Sequence, residues 1–337
     1  MPRSFPIIWI AAFLVVIGVE LFIIDNLDPY VVAIIIYAGI NIILASSLNL
    51  INGFAGQFSM GHAGFMAVGA YSGAVVTMAF RDNYPAIFNE PALQPFVFIA
   101  AIFAGGLCSA AAGVIVGLPT LRLRGDYLAV VTLGFGEIIR VILLNLESVG
   151  GARGLTNIPG ITSFFWVYGF VLICLFVITR LVDSPLGRSF LSVREDEIAA
   201  EAVGVNTTRS KVTAFALGAF FAGMAGALFA HYLRVLSPAI FDIQKSFEII
   251  IMVVLGGMGS ISGSVVAAVF LTIIREALRP LQQITGTDYR MVIYSLVLIV
   301  LMLTRPRGLF GTKEITDYLP ERWKARFGVR RVSPKES

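Results

Sequence analysis

Apolar residues in this chain come in long unbroken runs. Stretches of about 20 apolar residues, enough to cross about 30 Å of hydrocarbon, recur near 7–24, 30–51, 58–80, 95–117, 127–147, 164–181, 212–236, 246–259, 262–280 and 289–304. Continuous runs predict helices, because a membrane barrel alternates apolar and polar positions. The expectation is an all-α polytopic membrane protein of about ten transmembrane helices. Eight or nine stays open, because 246–259 is short for a full crossing. The first run follows Arg3 and leads into no small-x-small cleavage site, so it reads as a retained helix.

Two glycine-rich segments interrupt this pattern. Gly53-Phe54-Ala55-Gly56-Gln57-Phe58-Ser59 and Gly256-Gly257-Met258-Gly259-Ser260-Ile261-Ser262 both read G-x-x-G-x-x-S between apolar runs. Such a pair suggests an internal repeat with broken helices beside a transport path. Close packing of membrane helices on glycine accounts for the same residues more plainly. Polar side chains thicken around the first segment. Asn49, Gln57, Ser59 and His62, with Gly53, Gly56, Gly256 and Gly259, are therefore the expected lining of a path; helix–helix hydrogen bonding is the alternative.

One polar island stands apart. Arg194 to Glu201 carries five charges in eight residues (Arg194, Glu195, Asp196, Glu197, Glu201) between two apolar runs. Ile198, Ala202 and Val205 fall at i, i+4 and i+7, so a short helix over 194–206 would be apolar on one face and acidic on the other. That is a handle for a soluble partner. The expected organisation is a permease domain over 1–304, with a cytoplasmic loop at 182–211, followed by a basic cytoplasmic tail at 305–337.

Composition agrees. Of 337 residues 57% are hydrophobic and 14% charged, and the mean hydropathy is +0.86. The net charge of +4 comes mainly from the tail. With both termini in the cytoplasm, Arg122, Arg124, Arg180, Arg188, Arg209, Lys211 and the tail all fall inside, which is the positive-inside bias. Arg81, Arg153, Arg234, Lys245, Arg279 and Arg290 fall outside, so the bias is moderate. The chain has no G-x-x-x-x-G-K-[ST], no H-E-x-x-H, no nucleophile elbow and no paired cysteines, Cys108 and Cys174 lying in separate runs. No enzyme site, metal site or cofactor site of its own is expected.

Glu137 lies near the centre of the fifth run with Arg140 at i+3, a spacing that permits an ion pair on one helical face. Because a charge in mid-bilayer costs about 2.5–3.5 kcal/mol on insertion scales, a structural pair is the plain reading. A gate or a proton relay is the sharper one.

The run Leu48 to Phe65 (LNLINGFAGQFSMGHAGF) resembles the opening signature of branched-chain amino acid ABC permeases. Leu121 to Phe135 (LRLRGDYLAVVTLGF), followed by Glu137 and Arg140, resembles the same family, as do Ser184-Pro185-Leu186-Gly187-Arg188, Lys211 and the Gly218–Gly226 helix. The match covers about residues 30 to 310 and is nearest the LivM-type subunit; urea and short-amide permeases look similar. The resemblance implies an importer in a bacterial cytoplasmic (inner) membrane. A second permease subunit (LivH-type), two cytosolic ATPases carrying ATP and Mg, and a periplasmic or lipid-anchored binding protein would complete it. It also makes the charged island a coupling segment akin to the E-A-A motif of ABC importers, here Glu201-Ala202 with Gly204 two positions on. The spacing departs from the longer consensus of sugar and peptide permeases. A proton-coupled secondary carrier is the other class of function that the residues allow.

Overall fold

The computed structural model describes residues 5–88, 90–120 and 125–278, with 295, 296, 299, 300, 303, 304, 308–311, 314 and 315. The expected tenth span (289–304), the tail (305–337) and the pair Arg122 and Arg124 lie wholly or largely outside the described residues. In chain order the helices are α1 Phe5–Phe22, α2 Pro29–Asn49, α3 His62–Asn83, α4 Pro85–Phe88, α5 Gln94–Thr120 and α6 Asp126–Asn145, then α7 Phe164–Asp183, α8 Pro185–Glu195, α9 Glu197–Ala202, α10 Thr207–Leu233, α11 Ile243–Gly256 and α12 Ile261–Ala277.

Local chemistry fixes where several of them start. Asp28 accepts from Tyr30 N at 2.7 Å with Pro29 in the first turn of α2. Ser184, Asn206, Asp242 and Ser260 cap α8, α10, α11 and α12 in the same way, each satisfying an orphan amide of the first turn. The start of α7 has no cap from its own N-cap residue, Ser163. The Glu20 carboxylate on α1 accepts from Phe165 N instead, at 3.1 Å. T-shaped contacts of Trp9 with Phe176 and of Phe13 with Phe165 run down the same α1–α7 seam.

α10 is the axle of the bundle. It packs on α3 and α5, and it does so at backbone distance. A Cβ at Gly69 would collide with the backbone of Gly223, and one at Gly105 would meet Gly69 O at 2.7 Å. Apolar side chains gain no hydrophobic advantage by leaving lipid, so small residues that allow close approach supply the packing energy. α2 bridges this triple to α7, α11 and α12, and α6 lies at the edge with Tyr127, Val130, Ile138, Val141 and Ile142 exposed.

Ten spans were expected. Among the described residues six helices are long and apolar enough to cross a membrane: α2 with its extension to Phe54, α3, α5, α6, α7 and α10. The runs at 246–259 and 262–280 do form helices, but Gly256 to Gly259 divides them into α11 and α12 of 14 and 17 residues. At 1.5 Å per residue these reach about 21 and 26 Å, short of the hydrocarbon thickness.

If backbone contact holds the centre together, Gly223→Leu should prevent recovery of monodisperse protein in detergent, since the collision exceeds the about 1–3 kcal/mol of ordinary overpacking. Gly134→Leu, where nothing lies within 4 Å of an added Cβ, should elute and melt like the wild type in size-exclusion and thermal-unfolding measurements.

Candidate functional site

The first glycine segment is where α2 loses its helix. One wide turn, Leu50–Phe54, is followed by irregular backbone up to Gly61, with Gly56 at φ +68°. Unwound backbone inside a membrane bundle must find hydrogen-bond partners in the protein. Asn52 supplies two: its Oδ1 accepts from Ser59 N at 3.1 Å and its Nδ2 donates to Ser59 O at 3.3 Å. Thr132 Oγ1 on α6 accepts from Met60 N at 3.0 Å, and Ser246 Oγ on α11 accepts from Ala63 N at 3.3 Å. Gln57 turns onto Ala55 O, and the buried His62 lies with Nε2 2.9 Å from Ser47 Oγ.

The second segment separates α11 from α12, with Gly257 and Gly259 at φ +111° and +92°. Gly56 and Gly259 hold the same place in the two G-x-x-G-x-x-S segments, and both need the left-handed region that glycine enters without strain. Ser260 Oγ accepts from Gly263 N at 3.1 Å. The Glu314 carboxylate, far along the chain, accepts from Ile261 N, Ser262 N and Ser262 Oγ at 2.8, 2.9 and 2.6 Å. A carboxylate at this helix N-terminus gains from both the free amides and the helix dipole. Leu309 N and Phe310 N donate to Leu255 O and Gly256 O, so these residues close over the break beside Glu314.

The two breaks touch. Asn49, fully buried, donates from Nδ2 to Ser260 O at 2.8 Å and accepts at Oδ1 from Gly259 N at 2.9 Å. A Cβ at Gly53 would strike both Asn49 Oδ1 and Gly259 N. Arg194, at the end of α8, reaches the same point: its Nη1 donates to Gly53 O at 2.9 Å, and its stem packs on Gly56. The other side of the guanidinium holds Glu195 Oε1 at 2.6 Å. Asn49, Gly53, Gly56 and Gly259 thus come together with Arg194 in one knot, and Gly256 adjoins it across α12 at Gly263.

The charged segment differs from the single helix expected over 194–206. Asp196 is extended (φ −156°, ψ 111°) and accepts from Ile198 N and Ala199 N at 2.9 and 3.0 Å. An aspartate caps a helix more favourably than it continues one, so it ends α8 and starts α9. Gly204 at φ +88° and the Asn206 cap close α9 and open α10. Glu197 turns inward to the buried Lys211, with Nζ–Oε1 at 2.6 Å, so it holds the segment against α10. Of the expected apolar face, Ile198 is 68% exposed, Ala202 is exposed and Val205 half-buried; Val203 is 80% exposed and Ala200 is buried instead. Glu201 and Gly204 share that exposed surface.

Glu137 and Arg140 pair on α6 at 2.7 Å, each side chain about a quarter exposed. Reading the sequence missed Asn52, Thr132, Ser260 and Glu314 as the groups that satisfy the breaks. It also missed Lys245, Glu248 and Arg275 beside a cavity of about 630 Å3. Spacing gave a signal only for Asn52, three residues after Asn49. Glu314 bonds residues more than fifty positions away, which no local pattern announces.

A family profile described as branched-chain amino acid transport system / permease component matches residues 30–302. The chain is 38% identical over 305 residues to the high-affinity branched-chain amino acid transport system permease protein LivM of Salmonella typhimurium, covering 80% of this chain and 67% of that protein. The LivM protein of Escherichia coli is 37% identical over the same shares. The Escherichia coli permease protein LivH is 30% identical over 160 residues, 47% of this chain and 50% of that protein. No solved structure gives a significant match.

Asn49→Ala should leave Gly259 N–H and Ser260 C=O unpaired, at about 1–3 kcal/mol each, and lower the thermal midpoint in detergent by several degrees. Gln57→Ala, which removes one bond to a neighbouring carbonyl, should barely move it.

Proposed function

The chain belongs to the family of branched-chain amino acid transport permease components, and on that premise we propose that it is a LivM-like permease subunit of an ATP-driven importer for branched-chain or other hydrophobic amino acids. It is a multi-pass membrane protein, with six apolar helices long enough to span among the described residues. In the proposed assembly it pairs with a LivH-like permease in the bacterial inner membrane, above two ATPase subunits that bind ATP and Mg, and receives substrate from a periplasmic or lipid-anchored binding protein. α1 and the α11–α12 hairpin complete the bundle, and both termini lie in the cytoplasm.

The observation that carries this reading is the segment from Arg194 to Gly204. One end is tied into the bundle through Arg194 to Gly53 O and through Glu197 to Lys211. Beyond these ties Ile198, Glu201, Ala202 and Val203 stand on the surface. An apolar patch on a short capped helix is the form in which a helix enters a partner's groove. The partner here is the ATPase, and movement of its groove is passed by Arg194 to the first break and by Asn49 from there to the second.

The pairing of Glu137 with Arg140 at 2.7 Å supports a structural role in preference to the titrating carboxylate of a secondary carrier. The names of the relatives favour branched-chain amino acids over urea or short amides. In vesicles holding the full importer, Glu201→Lys should abolish ATP-dependent leucine uptake while membrane insertion and detergent stability stay at wild-type levels. Wild-type uptake by a normally inserted Glu201→Lys variant would refute the docking assignment.

A further inference from the structure

The helices that meet at the knot also enclose, about two turns away, the cavity that the importer reading leaves without a task. Along α2, Asn41 at the cavity and Asn49 at the knot are eight residues apart; along α11, Glu248 and Gly257 are nine apart. At 1.5 Å per residue both spacings are about 12–14 Å. The volume of about 630 Å3 falls inside the about 300–1,000 Å3 of small-molecule sites.

Its lining is divided by chemistry. One wall is hydrocarbon and aromatic, from Tyr37, Ile40, Met66 and Phe229. The rest of the lining carries both signs of charge. Glu248 holds Lys245 Nζ at 3.2 Å and Arg275 Nη1 at 2.9 and 3.1 Å, so one carboxylate serves two cations. A brace between α11 and α12 needs only the Arg275–Glu248 pair. The second cation leaves a positive excess within the trio, and Lys245 and Glu248 are each less than a fifth exposed. Ionisable groups kept inside a membrane bundle mark a functional pathway by default, because their desolvation is costly. Two further carboxylates, Asp242 and Glu276, line the same space. They are positioned by bonds of their own, Asp242 from Lys245 N and Glu276 from Tyr30 Oη. Asn41 and Thr272, joined at 2.9 Å, complete the polar floor.

A ligand that matches cation, carboxylate and hydrocarbon at once is an amino acid zwitterion with an apolar side chain. We propose that this cavity is a substrate subsite of the permease. The α-carboxylate lies between Lys245 and Arg275, and the α-ammonium faces Asp242 and Glu276. The side chain rests on Tyr37, Ile40, Met66 and Phe229. The proposal rests on the importer reading for its place in transport, and it assigns residues that neither the family profile nor the relatives' names assign.

Ala239, exposed at the rim of the cavity, offers a local reporter. In the complete importer in lipid nanodiscs, with Cys108→Ser and Cys174→Ser as background, Ala239→Cys should react with a charged methanethiosulfonate. Millimolar leucine should slow that reaction roughly ten-fold. Isovalerate, which lacks the ammonium, and isoamylamine, which lacks the carboxylate, should not slow it. Arg275→Gln and Lys245→Gln should each remove the protection by leucine, read as the ratio of rates with and without it in the same variant. Equal rates with and without leucine would overturn the subsite, as would a residue 239 thiol that does not react at all. If leucine protects but the wild-type importer takes up no leucine with ATP, the subsite stands and the transport reading fails. If uptake is normal and protection absent, the reverse holds.

Discussion

A helix that unwinds inside a membrane bundle releases amide and carbonyl groups that lipid cannot satisfy, and each one left bare costs several kcal/mol. This chain unwinds twice, and one buried asparagine beside the first break bonds the backbone of the second. Asn49 stands at the end of α2, immediately before the first break, and spends its whole side-chain amide on Gly259 and Ser260 of the second. The breaks are therefore held as a pair. Gly53 has no side chain because that space belongs to Asn49 and Gly259. Asn52, Ser260 and Glu314 then satisfy what Asn49 does not reach.

That pairing gives the charged segment something to act on. Arg194 donates to Gly53 O on the outer face of the knot, while α9 presents Ile198 and Val203 outward. A hydrogen bond from a charged donor contributes about 1.5–3 kcal/mol, comparable to the differential energy that shifts a two-state equilibrium by one or two decades. In the proposed importer the two ends of α2, α11 and α12 have separate duties: the knot takes up motion from the partner, and the cavity meets the ligand. Rigid helices of two turns join them, so a displacement at one end cannot be absorbed between. The closely packed α3–α5–α10 triple, in backbone contact at its glycines, is the frame against which such a displacement is made.

Much of this was legible in the chain, and the parts that were not share a cause. Long apolar runs located α1, α2, α3, α5, α6, α7, α10, α11 and α12 within about five residues, because burial in lipid leaves the backbone no alternative to helix. The two G-x-x-G-x-x-S segments were visible as interruptions, and the second glycine of each motif, Gly56 and Gly259, is at positive φ, as is Gly257. At 246–259 the shortness was already visible; 262–280 was read as a full crossing, and the helix there, α12, has 17 residues. Asp196 was read as one charge among five, although its side chain is a cap that splits the expected helix. The contacts that make the site, such as Asn49 to Gly259, Arg194 to Gly53 and Glu314 to Ile261, join residues from 53 to 210 positions apart. Local pattern specifies that a polar group needs a partner and says nothing of which one.

The central claim is that Arg194 transmits motion of the ATPase to the paired breaks. The measurement that meets it most directly is the ratio of leucine imported to ATP hydrolysed by the complete importer in vesicles, wild type against Arg194→Ala. The account predicts that the variant still hydrolyses ATP in response to the loaded binding protein but imports far less leucine per ATP, with Arg194→Lys intermediate. An unchanged ratio in a stable Arg194→Ala complex would contradict it.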